Sequence, residues 1–184
     1  DITRALLMYR FRRLGQARAA ARDAGYAGAM YPWQSGSDGK EETQVVHLNP
    51  LSGQWEPDLS HNQRHVNAAI FYNVWQYYCA TGDSEFLYDY GAELILEIAR
   101  FWGSIAQWDP GRVRYEIRGV MGPDEFHDAY PSADTPGLSN NAYTNVMAAW
   151  SLERALRLFD ILPAERCREL CGALRLDRAE RERW

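Results

Sequence analysis

The sequence predicts an all-α fold of helical hairpins, with two long loops and one short β-hairpin. Apolar residues recur every three or four positions in several segments, which is typical of amphipathic helices. Short turns at Gly82 and Pro163 alternate with long polar loops over residues 26–60 and 107–140. Long loops in compact domains often carry function, so we expect a binding site where these loops collect at one end of the hairpins.

Two helices are predicted in the first half of the chain. The first begins behind Thr3, a candidate N-cap, and ends at Gly25. The second runs from His61 to about Thr81 and has Ser60 as its candidate cap. Glycine, proline and serine fill the loop between them, which also contains two tryptophans.

Three more helices and a strand pair are predicted in the second half. One helix, capped by Asp83 or Ser84, runs to about Ala106. Another covers residues 142–159, and a last one starts at Pro163. The segment "WDPGRVRYEIRGV" instead alternates as a short hairpin strand. It sets apolar residues against charged ones: Val113, Tyr115 and Ile117 against Arg112, Arg114, Glu116 and Arg118.

Composition excludes several classes of partner. The 184 residues carry a net charge of -5, which argues against nucleic acid, because phosphates require a basic surface. The longest apolar stretch, Gly91 to Ile105, is interrupted by charged residues, so no membrane span is predicted. The three cysteines cannot all pair with one another, which favours buried thiols in a reducing compartment and a cytoplasmic location.

Aromatic residues beside carboxylates and amides indicate a sugar site. The segment "YPWQSG" contains Trp33, and "WEPD" places Trp55 next to Glu56. A pyranose ring offers apolar C–H faces for stacking and hydroxyl edges for hydrogen bonds, and these pairs would satisfy both. Each tryptophan taken alone is better explained as a packed loop residue, and it is the occurrence of three such loops in one chain that favours the sugar site.

The segment "RGVMGPDEFHDAY" is the strongest candidate for catalysis. It places Asp124, Glu125 and His127 after a Gly-Pro turn. A general acid must stay protonated near neutral pH, which a partly apolar environment achieves by raising its pKa. The open alternative is that Asp124 caps a turn and Glu125 is solvated.

Metal binding and nucleophilic catalysis have little support. In "HNQRH", His61 and His65 are four residues apart, but Asn62 stands where a zinc hydrolase has glutamate. His65 is therefore interpreted as a packed or sugar-facing residue, and no cofactor is predicted. The sequence contains no G-x-S-x-G motif.

Four segments together closely resemble glycoside hydrolase family 65, which contains maltose, trehalose and kojibiose phosphorylases and some trehalose hydrolases. They are "AGYAGAMYPWQSGSDGKEET", "SHNQRHVNAAIFYNVWQYYCATGD", "RGVMGPDEFHD" and "NNAYTNVMAAW". The resemblance implies an (α/α)6-barrel catalytic domain, of which residues 1–184 would form about half. It implies Glu125 as general acid, with Trp55, Glu56 and Trp33 at the glucose. His65, Asp124 and His127 are further substrate-binding candidates.

The resemblance also implies a reaction and its partners. A phosphorylase of this family uses inorganic phosphate as co-substrate and releases β-glucose 1-phosphate from an α-linked glucose disaccharide with inversion. The family's F-W-D motif is expected before Asp1, and its K-Q motif and phosphate-binding segment after Trp184. We therefore expect a fragment that is inactive alone and that forms homo-oligomers through exposed barrel faces. An inverting hydrolase and a non-catalytic carbohydrate-binding fragment remain the alternatives.

Overall fold

A computed structural model of the chain describes residues 2–124 and 127–184, and these are predominantly helical. The 3-10 turn Ser60–Asn62 precedes α3, and the π-helical segment Leu87–Gly91 joins α4 to α5. The helices are α1 (Ile2–Arg12), α2 (Leu14–Asp23), α3 (Val66–Thr81), α4 (Ser84–Phe86), α5 (Ala92–Ile105), α6 (Ala142–Ile161), α7 (Ala164–Leu174) and α8 (Arg178–Glu182). The strands are β1 (Val46–Leu48), β2 (Trp55–Pro57), β3 (Gln107–Asp109) and β4 (Arg114–Glu116).

The core is organised around α5, because this helix buries residues on nearly every side. Helices α3 and α6 pack directly against it, and α2 contacts it from another direction. The largest fully buried side chains concentrate on α5 and its neighbours: Trp102, Phe101, Leu94, Ile95, Leu96, Ile98, Phe71 and Phe86. Because these helices bury their apolar faces against α5, the long loops lie outside the core. Among the described residues, no helix has both the length and the apolar character needed to cross a membrane.

The N-terminal segment forms two helices where one was predicted. Helix α1 already includes Thr3, so the predicted N-cap is wrong. The backbone of Arg13 leaves helical geometry at φ -102° and ψ 8°, which separates α1 from α2. The predicted stop at Gly25 is confirmed, because Gly25 adopts φ 82° and Tyr26 donates its N–H to Ala21 in a Schellman closure.

The start of α3 differs from the prediction, and the start of α4 agrees with it. The Ser60 backbone N–H donates to the Asp58 carboxylate, and a 3-10 turn forms before α3 begins at Val66. Ser60 therefore does not cap α3. Asp83 does cap α4, because its Oδ1 accepts the Phe86 N–H at 2.9 Å.

Two antiparallel hairpins interrupt the long loops. Strands β3 and β4 confirm the predicted pair, with Trp108 opposite Tyr115. The predicted alternation fails at Glu116, which is 2% exposed because three arginines surround its carboxylate, whereas Tyr115 is half exposed. Strands β1 and β2 form a second hairpin, with His47 opposite Glu56, inside a loop that the sequence did not divide.

The C-terminal helices lie close to their predicted positions. Helix α6 begins behind Asn141, whose side chain accepts the Thr144 N–H, and α7 follows Pro163 as its N-cap. All three cysteines are free thiols. Cys79 is exposed on the outer face of α3, which corrects the expectation that every thiol is buried.

Candidate functional site

Three separate loops meet around one pocket with a volume of about 440 Å³. Trp33 comes from the first loop, Asp58 and Ser60 from the segment after β2, and Met121 and Asp124 from the loop after β4. These are the segments in which the sequence placed aromatic and acidic candidates. The pocket therefore joins residues that lie up to 95 positions apart in the chain.

The loop that carries Trp33 is held by a carboxylate. Glu41 accepts hydrogen bonds from the backbone N–H groups of Trp33 and Gln34 at 2.9 and 3.1 Å. It also accepts the hydroxyl and the N–H of Thr43. Just before this segment, Tyr31 donates its backbone N–H to the fully buried side chain of Asn67 on α3. The Trp33 backbone is thus fixed from both sides.

His65 lies behind Trp33 and does not line the pocket. Its ring contacts Trp33 edge to face, with centroids 5.3 Å apart, and contacts Tyr143 of α6 in the same way at 5.7 Å. Burial lowers the pKa of the imidazole, and a backbone hydrogen bond with Met121 opposes that effect. His65 and His61 do not share a helical face, since His61 belongs to the 3-10 turn and His65 precedes α3. No group of three or more potential metal ligands occurs within residues 2–124 and 127–184.

Trp55 and Glu56 belong to strand β2 and do not line the pocket, whereas Asp58, just after that strand, does. Trp55 is 69% exposed and points away from the protein. Glu56 accepts a hydrogen bond from Asn49, and its carboxylate lies 3.9 Å from His47 Nε2. Asp58, two positions later, is buried and lines the pocket together with His47.

Hydrogen bonds stabilise the ionised form of Asp58. Its Oδ1 accepts the Ser60 N–H and its Oδ2 accepts the Gln44 side-chain amide, both at 2.8 Å. Burial acts to raise the pKa of Asp58, but the hydrogen bonds and the nearby His47 outweigh it. The pKa of Asp58 consequently lies below its usual value.

The loop after β4 is closed by backbone hydrogen bonds. Gly122 donates its N–H to the carbonyl of His127 at 2.8 Å, and Met121 donates to the carbonyl of Asn62. Asp124 lines the pocket, whereas the side chain of His127 is exposed and packs over Gly122. Glu125, the predicted general acid, lies outside the described residues.

The structure identifies pocket residues that sequence reasoning missed. Asp58, Gln44 and Gln63 line the pocket, and Glu41 anchors one of its walls. A signal for Asp58 was present, because it closes the "WEPD" segment. Gln63 stands between the two histidines of "HNQRH", and nothing in that segment marks it as a pocket residue.

Comparison with known proteins gives a family match over the whole chain. The model described as "Glycosyl hydrolase family 65 central catalytic domain" matches residues 1–184. An uncharacterised glycosyl hydrolase of Mycobacterium tuberculosis is 55% identical over 183 residues, which are 100% of this chain and 14% of that protein. The trehalose 6-phosphate phosphorylase of Lactococcus lactis is 50% identical over 153 residues, 83% of this chain and 20% of its own length. The kojibiose phosphorylase of Thermoanaerobacter brockii is 40% identical over 185 residues, 97% of this chain and 22% of its own length.

A solved structure confirms the fold class. The chain described as "Putative kojibiose phosphorylase from human microbiome" superimposes with a TM-score of 0.78 at 23% identity, over 98% of this chain and 21% of that one. The helical hairpins therefore form part of an (α/α)6 barrel, as predicted. The chain spans between about a seventh and a fifth of the length of the relatives it matches.

Proposed function

Because the chain belongs to glycosyl hydrolase family 65, we propose that it is part of an enzyme that cleaves α-linked glucose disaccharides by inverting phosphorolysis. The observation that carries this proposal is the meeting of Trp33, Asp58 and Asp124 around one pocket, beside the G-P-D-E-F-H segment. Two similar relatives are phosphorylases of trehalose 6-phosphate and of kojibiose. Residues 1–184 would supply about half of the barrel.

In the proposed reaction, Glu125 protonates the glycosidic oxygen while the bond from that oxygen to the anomeric carbon breaks. Inorganic phosphate attacks the same carbon from the opposite face, so inversion gives β-glucose 1-phosphate and the released sugar. Phosphate is a co-substrate, and the step requires no cofactor. Among the candidate binding residues, Trp33 and Asp124 line the pocket, and His65 supports Trp33 from behind.

Trp55, Glu56 and His127 have weaker geometric support as sugar ligands. In this structure they do not line the pocket that Trp33 and Asp124 share. For these three, binding to the sugar remains a proposal that rests on the family resemblance. The free thiols fit the proposed cytoplasmic location, which fractionation of cells would test.

A substrate panel tests the activity. The complete polypeptide that contains this chain is assayed with trehalose, trehalose 6-phosphate, kojibiose and maltose, with and without phosphate. Turnover that requires phosphate and yields glucose 1-phosphate is expected for at least one sugar. Turnover without phosphate would instead support the hydrolase, in which a second carboxylate lies roughly 6.5 to 9.5 Å from the acid. Binding without turnover would support a carbohydrate-binding role.

Substitution of the acid tests its assignment. We expect Glu125→Gln to lower kcat by about 10²- to 10⁴-fold, because the amide cannot protonate the leaving oxygen. Affinity for the disaccharide, measured by calorimetry, should remain within a few-fold. Asp134→Asn, an exposed acid in the same long loop, is the matched control and should leave kcat unchanged. Unchanged turnover in Glu125→Gln would refute the assignment.

A further inference from the structure

Gln63 has little exposed surface, and its side-chain amide is accessible at the pocket rather than enclosed in the core. It is only 8% exposed and lies on the pocket wall next to Asp58 and Met121. Its backbone N–H bonds to Ser60, but within residues 2–124 and 127–184 its side-chain amide has no hydrogen-bond partner. An amide at a pocket wall that no described protein group binds is available to a ligand that enters the pocket, both as a donor and as an acceptor.

Asp58 adds acceptors to the same wall. Its carboxylate accepts hydrogen bonds from the backbone and side chain of Ser60 and from the Gln44 amide, and His47 Nδ1 lies 3.7 Å from Oδ2. A carboxylate offers about four acceptor sites, so capacity for a further donor remains. The Gln44 amide is held in place by its contact with Asp58. Asp58 and Gln63 together therefore present both acceptors and donors, which is what adjacent sugar hydroxyls require.

The charges around the pocket define the class of ligand. Asp58, Asp124 and Asp128 line it, and neither lysine nor arginine is among its described lining residues. At this wall a phosphate group would face three aspartates, with His47 as the one basic side chain among the described lining residues, whereas neutral hydroxyls donate readily to carboxylates. Trp33 supplies an aromatic side chain at the same pocket.

We propose that Gln63 and Asp58 form a hydroxyl-binding subsite for a neutral sugar ring, with Trp33 as its apolar side. The inference rests on the proposed function and assigns sugar contacts to residues outside the W-E pair. The amide of Gln63 donates to one ring hydroxyl and accepts from a neighbour. Asp58 accepts from a hydroxyl and thereby orients the ring. These residues determine affinity and do not exchange protons with the substrate.

The test is the Gln63→Met variant of the complete polypeptide, with monodeoxyglucoses and the disaccharide turned over in the panel as probes. Affinity by calorimetry should fall roughly threefold to tenfold, the value of one or two hydrogen bonds. One of the monodeoxyglucoses should bind the wild type more weakly than glucose does. The Gln63→Met variant should bind that deoxy sugar and glucose with the same affinity, because the hydrogen bond is already missing. The melting temperature should not fall, because the amide makes no hydrogen bond within the described protein.

Controls separate this inference from the proposed activity. The matched control is Gln76→Met, at an exposed position of α3, which should leave the affinity for the sugar unchanged. If Gln63→Met does not fold, Gln63→Ala is measured as a second variant. Two results would overturn the proposed subsite: Gln63 variants that bind the sugar as tightly as the wild type, or a loss of affinity that is the same for every deoxy sugar. Neither result would contradict the proposed phosphorolysis. If the wild type turns over no sugar, the proposed activity fails, and the binding series still decides the role of Gln63.

Discussion

At the residue scale, the most strongly perturbed acid outside the pocket is Glu116 on β4. Its carboxylate accepts hydrogen bonds from Arg112, Arg114 and Arg118, and its side chain is 2% exposed. Hydrogen bonds from Arg118 and Arg114 lower its pKa from 4.5 to about 2, against the opposing effect of burial. The G-P-D-E-F-H segment follows this cluster a few residues later, so Glu116 stabilises the strand that precedes that segment.

We predict that Glu116→Gln lowers the stability of the fold by an amount that depends on pH. The folded-state pKa is depressed, so the ionised carboxylate stabilises the protein above about pH 4.5, and this contribution disappears as pH falls towards 2. The melting temperature of Glu116→Gln should thus lie below that of the wild type at pH 7, and the gap should close between pH 4.5 and 2. Glu182→Gln, an exposed i,i+4 partner of Arg178, is the control and should show little effect. A gap that is constant down to pH 2 would contradict the assignment.

At the scale of elements, the loop after β4 contains a close approach between Gly122 and His127. A Cβ built on Gly122 would lie 2.2 Å from Nδ1 of His127, so any larger residue displaces the imidazole. The hydrogen bond from Gly122 to the carbonyl of His127 transmits that displacement to the loop backbone. The close approach of the Gly122 backbone to His127 therefore requires glycine at position 122.

We predict that Gly122→Ala lowers kcat/KM by roughly 10- to 100-fold, because small misplacements of catalytic groups are expensive. Stability should change little, since the displaced ring is exposed. The double variant Gly122→Ala/His127→Ala removes the clash, so in a His127→Ala background the glycine substitution should have a much smaller effect. Equal effects of Gly122→Ala in both backgrounds would show that the clash is not the cause.

Elements that follow a periodic pattern were predictable, and positions decided by tertiary contacts were not. Helices α5 and α6 appeared at their expected places because their apolar stripes are long and regular. Glu116 departed from the predicted exposure because Arg112, Arg114 and Arg118, its neighbours on the same face, enclose its carboxylate, and a pattern of alternation does not show such enclosure. Gln63 could not be found from sequence, since no local pattern distinguishes a glutamine that faces a pocket from one on the surface.

At the scale of the whole molecule, a network of charges ties three helices together. Glu97 of α5 is 2% exposed and binds Arg18 of α2 and Arg100 of its own helix. Arg100 in turn binds Glu180 of α8. These contacts join the N-terminal and C-terminal segments at α5, and none of these four side chains lines the pocket that contains Trp33 and Asp58. The sequence predicted the long loops of the site, but their meeting point follows only from how the helices pack.

Apolar side chains on the outer faces of α1 and α6 lead to the last prediction. Ile2 and Leu6 are 81% and 64% exposed on α1, and Tyr143 and Val146 are 43% and 66% exposed on α6. Their i,i+4 and i,i+3 spacing places each pair on one side of its helix. Surfaces of this kind are usually covered by another protein segment. We therefore expect the isolated 184-residue chain to self-associate and to release no glucose 1-phosphate.

Sedimentation of the isolated chain at about 10 to 100 μM should show concentration-dependent association, within the range of weak apolar contacts. Leu6→Glu and Val146→Glu should reduce it, because a charge cannot be buried in an apolar contact without a large penalty. Val113→Glu, which changes an equally exposed residue at the hairpin tip, should leave it unchanged. In the complete polypeptide the first two substitutions should instead lower the melting temperature, since there the same sides of α1 and α6 would pack against the rest of the barrel. An isolated chain that stays monomeric and is catalytically active would contradict both the fragment and the assembly proposals.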